Sequence, residues 1–405
     1  MTYINFIVIL LSLIGIALGH YPRLRMNRST IAMVGAVFLV FGGAMSLNQA
    51  YSAINMDTIL LLLAMMIINA NLSIAGFFQI VAARVSKIAK TPKMLLAHVI
   101  IWSGVLSALF LNDTICVMFT PLVLEIAIKL KRNPLPYLMG LATAANVGST
   151  ATIIGNPQNM LIGIAGNIGF VKFLLYQLPV ASVGLLFIWF IIIVVYKDEF
   201  KEIKFNEKID FEPKIYKPLL VKSTITTFGM VVLFFSGIPV TLAALIGASA
   251  LLITRRLKPQ RVFREIDWSL LVFFSGLFVI TGGIETTGLG KYFFSVLKPI
   301  SGESTLNLSI VSVLLSNLIS NVPAVLLYLP VIKTFANPEK AYLVLAMATT
   351  LAGNVTLLGS VANLIVAETA KKRGINISFT EYLKAGLPIA IVTLLIGIVW
   401  FGVII

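Results

Sequence analysis

Four short polar runs interrupt an otherwise apolar chain: Asn112-Asp113-Thr114, Gly155-Asn156-Pro157-Gln158-Asn159, Ser320-Asn321-Val322-Pro323 and Gly359-Ser360-Val361-Ala362-Asn363. Their amides, hydroxyls and one carboxylate are suited to two kinds of chemistry. Side-chain oxygens and backbone carbonyls freed at a helix break can surround a hard cation. A helix that starts at such a break turns its N–H groups and partial positive charge toward an anion. Asn156 is a suitable N-cap with Pro157 in the tolerated first turn, and Ser360 can cap the second copy. The candidate solute-binding set is Asn112, Thr114, Asn156, Asn159, Ser320, Asn321, Ser360 and Asn363. The candidate set for a coupling ion is Asp113, Asn112, Asn146, Ser149, Thr150, Asn321, Asn354 and Thr356. Small residues that merely let helices pack closely would explain one isolated Gly-Asn-Pro. Its recurrence beside a polar tip favours a site.

Charge within the apolar stretches is sparse and acidic. Asp113 is the main candidate for a functional carboxylate, while Glu125, Glu285 and Glu368 can reach an interface. No Lys or Arg is expected near the midplane. An anion would then be held by helix termini, Asn, Ser and Thr donors and co-bound cations, and a neutral solute is equally compatible. Enzyme readings find no support, because His20, His98 and the single Cys116 belong to no metal or nucleophile motif. No cofactor is expected, nor a metal beyond sodium. A phosphate-binding glycine loop is also missing, which argues against an ATP-driven pump.

The elements that must position these residues are membrane helices. Hydrophobic residues make up 59% of the chain and charged residues 12%, with a mean hydropathy of +0.99. That composition exceeds what a soluble core absorbs. The net charge of +15 resides in short loops between apolar stretches, so it reads as topology rather than as a nucleic-acid surface. The stretch Ile4 to Leu18 lacks a basic leader and reads as a retained helix. Six basic clusters alternate along the chain: Arg23, Arg25 and Arg28; Arg84, Lys87, Lys90 and Lys93; Lys129, Lys131 and Arg132; Lys197 to Lys222; Arg255 to Arg264; and Lys371, Lys372 and Arg373. They mark cytoplasmic loops, with both termini outside. The expected location is the cell's inner membrane, crossed many times.

Two apolar arms, Leu95 to Leu111 and Ile115 to Ile128, have basic clusters at both outer ends and so form a hairpin with Asn112-Asp113-Thr114 at its tip. A re-entrant hairpin would expose its polar tip to a protein-lined cavity; two full-length helices with an external turn are the alternative. The same order of features recurs slightly more than 200 residues later, pairing Asp57 with Asp267, Asn112 with Asn321, Pro121 with Pro330, Gly155 with Gly359 and Asn159 with Asn363. The expected fold is all-α and polytopic: two inverted repeats, each with about five spanning helices, one re-entrant hairpin and a broken helix. Residues 1–196 form the first repeat, with a hairpin at 94–129 and a broken helix at 136–166. Residues 197–222 form a cytoplasmic linker whose mixed charges, including Asp198, Glu199, Glu202, Glu207, Asp210 and Glu212, read as a solvated loop. Residues 223–405 form the second repeat, with a hairpin at 306–335 and a broken helix at 341–370. Inverted halves favour alternating access over a channel.

Asn112-Asp113-Thr114 with Pro121, the Gly155 to Asn159 run, Ser320 to Pro323 and Asn354 to Asn363 together resemble the ion transporter superfamily, in its citrate-transporter-like and arsenite-permease-like branch. The resemblance covers nearly the whole chain. It implies a secondary transporter with a scaffold domain and a mobile domain carrying both hairpins and both broken helices. It further implies a homodimer, an elevator-like movement and coupling to sodium or protons. In sodium-coupled dicarboxylate members, Ser-Asn-Thr tips bind substrate carboxylates and flank the sodium sites. Asn112 and Asn321 match those asparagines; Asp113 in the first tip and Val322-Pro323 in the second depart from the pattern. The implied solute is a small inorganic oxyanion, a carboxylate or an arsenite-like species, and with a single cysteine trivalent arsenic would bind as a hydroxide. An ATPase subunit is a partner that the arsenite-permease resemblance leaves open. A sodium/proton antiporter of the same fold is the other reading.

Overall fold

The structure, a computed structural model, describes residues 2–19, 24–201, 204–205, 212–254, 257–302 and 304–404. His20, Arg23, Glu202, Glu207, Asp210 and Arg255 of the sequence reading lie outside these residues. Every regular element described is helical. The first half runs α1 (Thr2–Leu18), α2 (Arg28–Phe41), α3 (Leu47–Ala53), α4 (Met56–Ala75), α5 (Phe77–Ile88), α6 (Pro92–Leu109), α7 (Asn112–Lys129), α8 (Pro134–Ser149), α9 (Pro157–Ala165) and α10 (Phe170–Val195). The second runs α11 (Lys217–Phe235), α12 (Val240–Leu252), α13 (Pro259–Phe263), α14 (Trp268–Thr286), α15 (Leu289–Ser301), α16 (Thr305–Ile319), α17 (Asn321–Ile332), α18 (Pro338–Leu351), α19 (Val361–Lys371) and α20 (Phe379–Ile404). Six of these, α4, α6, α10, α11, α14 and α20, are at least 18 residues long and apolar enough to cross a bilayer. The chain is an integral membrane protein.

Local rules account for most of the boundaries. Asn27, Asn55 and Thr91 cap α2, α4 and α6 by accepting the backbone N–H of Thr30, Thr58 and Met94. Pro92, Pro134, Pro157 and Pro338 stand in first turns, where a missing N–H costs nothing. Tertiary contact decides the rest. Helix α2 lies along α14, and α4 lies along α11 and α12. The pairs α6 with α7 and α16 with α17 form two helical hairpins that pack against α8 and α18. Helices pack this closely in lipid through small residues. A Cβ on Gly148 of α8 would stand 2.2 Å from the carbonyl oxygen of Gly104 on α6, so only glycine permits that crossing.

Two expectations need correction. The basic run at Arg84 and Lys87 is part of an amphipathic helix, α5, which buries Phe78, Val81 and Val85 and exposes its cations. Its Phe78 ring meets Phe110 and Phe119 of the first hairpin edge-on, at centroid distances of 6.3 and 6.1 Å. The linker, in turn, is tethered at two places, although Asp198, Lys201, Glu212 and Lys214 are exposed as a solvated loop would have them. Glu199 accepts from the Arg132 Nε at 2.8 Å and from the Tyr137 hydroxyl at 2.8 Å, with both charged side chains about nine-tenths buried. Phe200 packs edge-on against Tyr137, and farther along the backbone N–H groups of Lys214 and Tyr216 donate to Gln79 and Ala75. Glu199 departs from the solvated reading because its partners lie on distant elements.

Candidate functional site

The two broken helices are held by one hydrogen-bonded network. In the first, α8 ends at Ser149, an irregular segment follows, and Asn156 caps α9 by accepting the N–H of Asn159 at 2.8 Å. In the second, α18 gives way to two short 3-10 turns (Ala352–Asn354 and Leu357–Gly359), and Ser360 caps α19 by accepting from Ala362 at 3.2 Å. Both caps are as the local pattern predicts. The next asparagine in each copy ties the break together. Asn159 Nδ2 donates to the carbonyls of Ser149 (3.1 Å) and Thr152 (3.0 Å), and Asn363 Nδ2 donates to those of Gly353 (2.7 Å) and Thr356 (3.2 Å). These are corresponding positions in the two halves.

The network also crosses between the halves. Thr350 donates to Asn159 Oδ1 at 3.2 Å and accepts from Asn156 Nδ2 at 3.2 Å. Asn146, at the matching place in the first half, donates to Asn363 Oδ1 at 3.1 Å and accepts from the Ser360 hydroxyl at 3.0 Å. Asn146 has two further bonds, donating to Asn354 Oδ1 at 2.8 Å and accepting from Asn112 Nδ2 at 3.1 Å. Both donors and both lone pairs of this amide are used. Asn146, Ser149, Thr150, Asn156, Asn159, Asn354 and Asn363 are all buried in the network, and Asn146 acts as its hub. Thr356 donates to Asn317 at 3.3 Å, linking the second break to α16.

A cavity of about 160 Å³ lies above this network. Of the candidate residues it is lined by Asn112, Asp113, Ser320, Asn321 and Ser360, while Thr114 faces a second cavity of about 220 Å³ beside Asn69. The two cavities share Asp113, Pro157, Asp267, Leu270 and Val361. The smaller one is ringed by the first turns of six helices: Arg28 and Ser29 of α2, Asn112 and Asp113 of α7, Pro157 and Gln158 of α9, Asp267 and Ser269 at α14, Asn321 of α17 and Ser360 and Val361 at α19. Converging helix N-termini present unsatisfied N–H groups and partial positive charge. They suit an anion or a solute rich in acceptor oxygens.

The polar lining groups Arg28, Ser29, Gln158, Asp267 and Ser269 are not among the candidates that the sequence offers. Arg28, read from the sequence as part of a cytoplasmic basic cluster, borders the cavity from the first turn of α2. Asp267, recognised only as the partner of Asp57 in the duplication, caps α14 through the N–H of Leu270 at 3.1 Å. Gln158 had a local signal, since it lies within the Gly155 to Asn159 run. Of the other carboxylates, Glu125 pairs with Lys129 at 2.8 Å, Glu285 is exposed, and Glu368 borders a wider cavity of about 600 Å³ that also touches Arg28. Among the described residues no three His, Cys, Asp or Glu side chains are grouped to hold a metal ion.

Residues 7–352 match the model of the citrate transporter family. A silicon efflux transporter, LSI3, of Oryza sativa subsp. japonica is 31% identical, over 94% of this chain and 93% of its own length. A putative transporter, arsB, of Dictyostelium discoideum is 26% identical over 98% of this chain and 91% of its own. Among solved structures, the YdaH transporter of Alcanivorax borkumensis aligns with a TM-score of 0.60 over 99% of this chain and 97% of its own, at 14% identity. That likeness concerns the fold alone. With the family's model matched over most of its length, this chain belongs to the citrate transporter family, whose members are transporters and not enzymes.

Proposed function

We propose that this protein is a secondary active transporter that moves a small inorganic oxyanion, carboxylate or arsenite-like solute across the inner membrane, coupled to protons or sodium. The observation that carries this reading is the convergence of six helix N-termini on one polar cavity. Two of those termini, at α2 and α14, belong to helices packed on each other, whereas the other four belong to the hairpins and broken helices. A solute bound there sits between two bodies. Sliding one past the other, as in an elevator, would carry it from one face of the membrane to the other. The similarity to a silicon efflux transporter favours a small oxygen-rich solute. On this reading both termini face outward, residues 197–222 lie in the cytoplasm, the two halves are inverted repeats, and the protein works as a homodimer in lipid.

Asn112, Ser320, Asn321 and Ser360 then contact the solute. Asp113, which makes no side-chain hydrogen bond among the described residues, is the group that takes up the coupling ion. The residues of the buried network hold the broken helices open. The test is flux in proteoliposomes with imposed pH and sodium gradients, using citrate, phosphate, arsenite and silicic acid as probes. Saturable movement of at least one probe, driven by one gradient, is expected. The presence of two carboxylates, Asp113 and Asp267, in the same cavity favours a second reading, a sodium/proton antiporter. Movement of sodium and protons with none of the probes would select it.

A further inference from the structure

Among the described residues Arg28 is the only cationic side chain bordering the smaller cavity, where it faces two carboxylates, Asp113 and Asp267. It sits half-buried in the first turn of α2, next to the helix's positive end, with no acidic residue in that turn. A cation is electrostatically misplaced there, since a helix N-terminus favours negative charge. Among the described residues Arg28 has no ion-pair or hydrogen-bond partner. Its side chain borders both the inner cavity and the wider one leading to Glu368, so it stands at the opening between them. This guanidinium is half withdrawn from water and set at an unfavourable helix end, and among the described residues no carboxylate meets it in a direct ion pair. The opening of the cavity is where an anion would pair with it.

We propose that Arg28 selects an anionic over a neutral solute, binding its negative charge from the α2–α14 wall while the hairpin tips and Ser360 bind its oxygens. The inference rests on the transporter reading above. It also connects charge selection to coupling. With both carboxylates ionised, the lining of the inner cavity carries one positive and two negative charges, which repel an anion. A proton or sodium ion on Asp113 leaves Arg28 balanced against Asp267, and the solute's charge then meets less repulsion. The coupling ion and the anion therefore favour each other's binding, and such favour is reciprocal.

The experiment uses full-length protein in proteoliposomes, with citrate and phosphate as anionic probes and arsenous and silicic acids, neutral at pH 7, as the others. Arg28→Gln should reduce uptake of the transported anion by about tenfold or more, through KM, and leave neutral-probe flux intact or raised. Arg28→Lys should recover part of the anion uptake, because it restores charge without the planar fork. Stabilisation of detergent-solubilised protein by the same anion, read as a melting shift, should vanish in Arg28→Gln and persist in part in Arg28→Lys. This binding readout holds even if flux is lost to misassembly. Anion uptake in Arg28→Gln equal to that of the native chain would overturn the proposal. So would a native chain that moves only the neutral probes, although the transporter reading would then survive. A native chain that moves no probe would defeat both.

Discussion

At the first hairpin tip, Asn112 gives its backbone N–H to the carbonyl of Gly155 at 3.0 Å and its side-chain amide to Asn146 at 3.1 Å. At the second tip Asn321 makes no side-chain hydrogen bond among the described residues, and its Oδ1 is buried without a partner. The residue before it, Ser320, has φ +78° and ψ +156°, a conformation that few residues other than glycine adopt; the matching residue of the first tip, Leu111, has φ −61°. One turn below, the hairpins are alike: Thr152 donates to the carbonyl of Ala108 at 2.5 Å, and Thr356 donates to Asn317 at 3.3 Å. The two copies thus differ clearly at the end that meets the cavity. The first tip is fastened to its broken helix. The second holds strain and an asparagine that is not fastened, while Oδ1 of Asn112 and of Asn321 are both buried without a partner, so a bound solute or ion can meet an acceptor at either tip.

Substitutions at matched positions can break this contrast, and the largest effect is expected at the glycines. A Cβ on Gly155 would lie 2.3 Å from the Ser149 oxygen and 2.8 Å from its Cα, whereas on Gly359 the nearest atom is Asn317 Oδ1 at 3.0 Å. Gly155→Ala should cost about 3 kcal/mol or more and Gly359→Ala about 1 kcal/mol, because the contacts at Gly359, which include the backbone oxygens of Gly353 and Ala352 at 3.1 and 3.2 Å, need only a small shift. Thermal unfolding in detergent measures both, and equal losses would mean that the two breaks are equally tight. Next come the tip asparagines. Asn112→Ala removes a buried bond and should cost about 1–2 kcal/mol, while Asn321→Ala removes an unpaired acceptor and should be neutral within about 0.5 kcal/mol. Both should weaken solute binding. Retention of native affinity by the pair would remove them from the site.

Ser320→Gly should stabilise the protein by about 1 kcal/mol as the strain is released, partly offset by the greater freedom of glycine in the unfolded chain. Leu111→Gly, at an unstrained position, should be destabilising, so the sign of the difference is the readout. The smallest change in stability is expected from Asp113→Asn. Its carboxylate caps nothing, since α7 begins without a side-chain cap bond, and the melting temperature should be nearly unchanged. Its effect should instead fall on coupling, with the dependence of flux on pH or sodium lost and some solute exchange kept. Unaltered dependence on both ions would leave the coupling role to another group, with Asp267 the next to test.

What could be read from sequence here was what obeys local rules. Asn156, Pro157 and Ser360 announce helix starts within four or five residues, and the hairpin tips stand out as polar breaks between apolar arms. That Arg28 borders a cavity is not legible in the sequence, because a cation between apolar stretches looks the same whether or not a cavity adjoins it. Only the packing of α2 on α14, far away in the chain, tells the two apart. Asn146 was listed as an ion ligand because its amide is suited to that task; its four bonds come from residues in both halves and have no signature nearby. The tether at Glu199 has no nearby signature either, as it depends on Arg132 and Tyr137.

The bonds that cross from Asn146 to Asn354, Asn363 and Ser360, and from Thr350 to Asn156 and Asn159, also bear on how the protein is made. A ribosome adding roughly 5–20 residues per second delivers the second break some ten to forty seconds, by order of magnitude, after the first. Throughout that interval the nascent first half lies in the bilayer with the amides of Asn146 and Asn156 lacking their later partners, where an unmet polar group is costly. The first half is therefore an incomplete folding unit that must be shielded, by the insertion machinery or by trapped water, until its twin arrives. Produced separately, the halves should be short-lived, and co-production should rescue both.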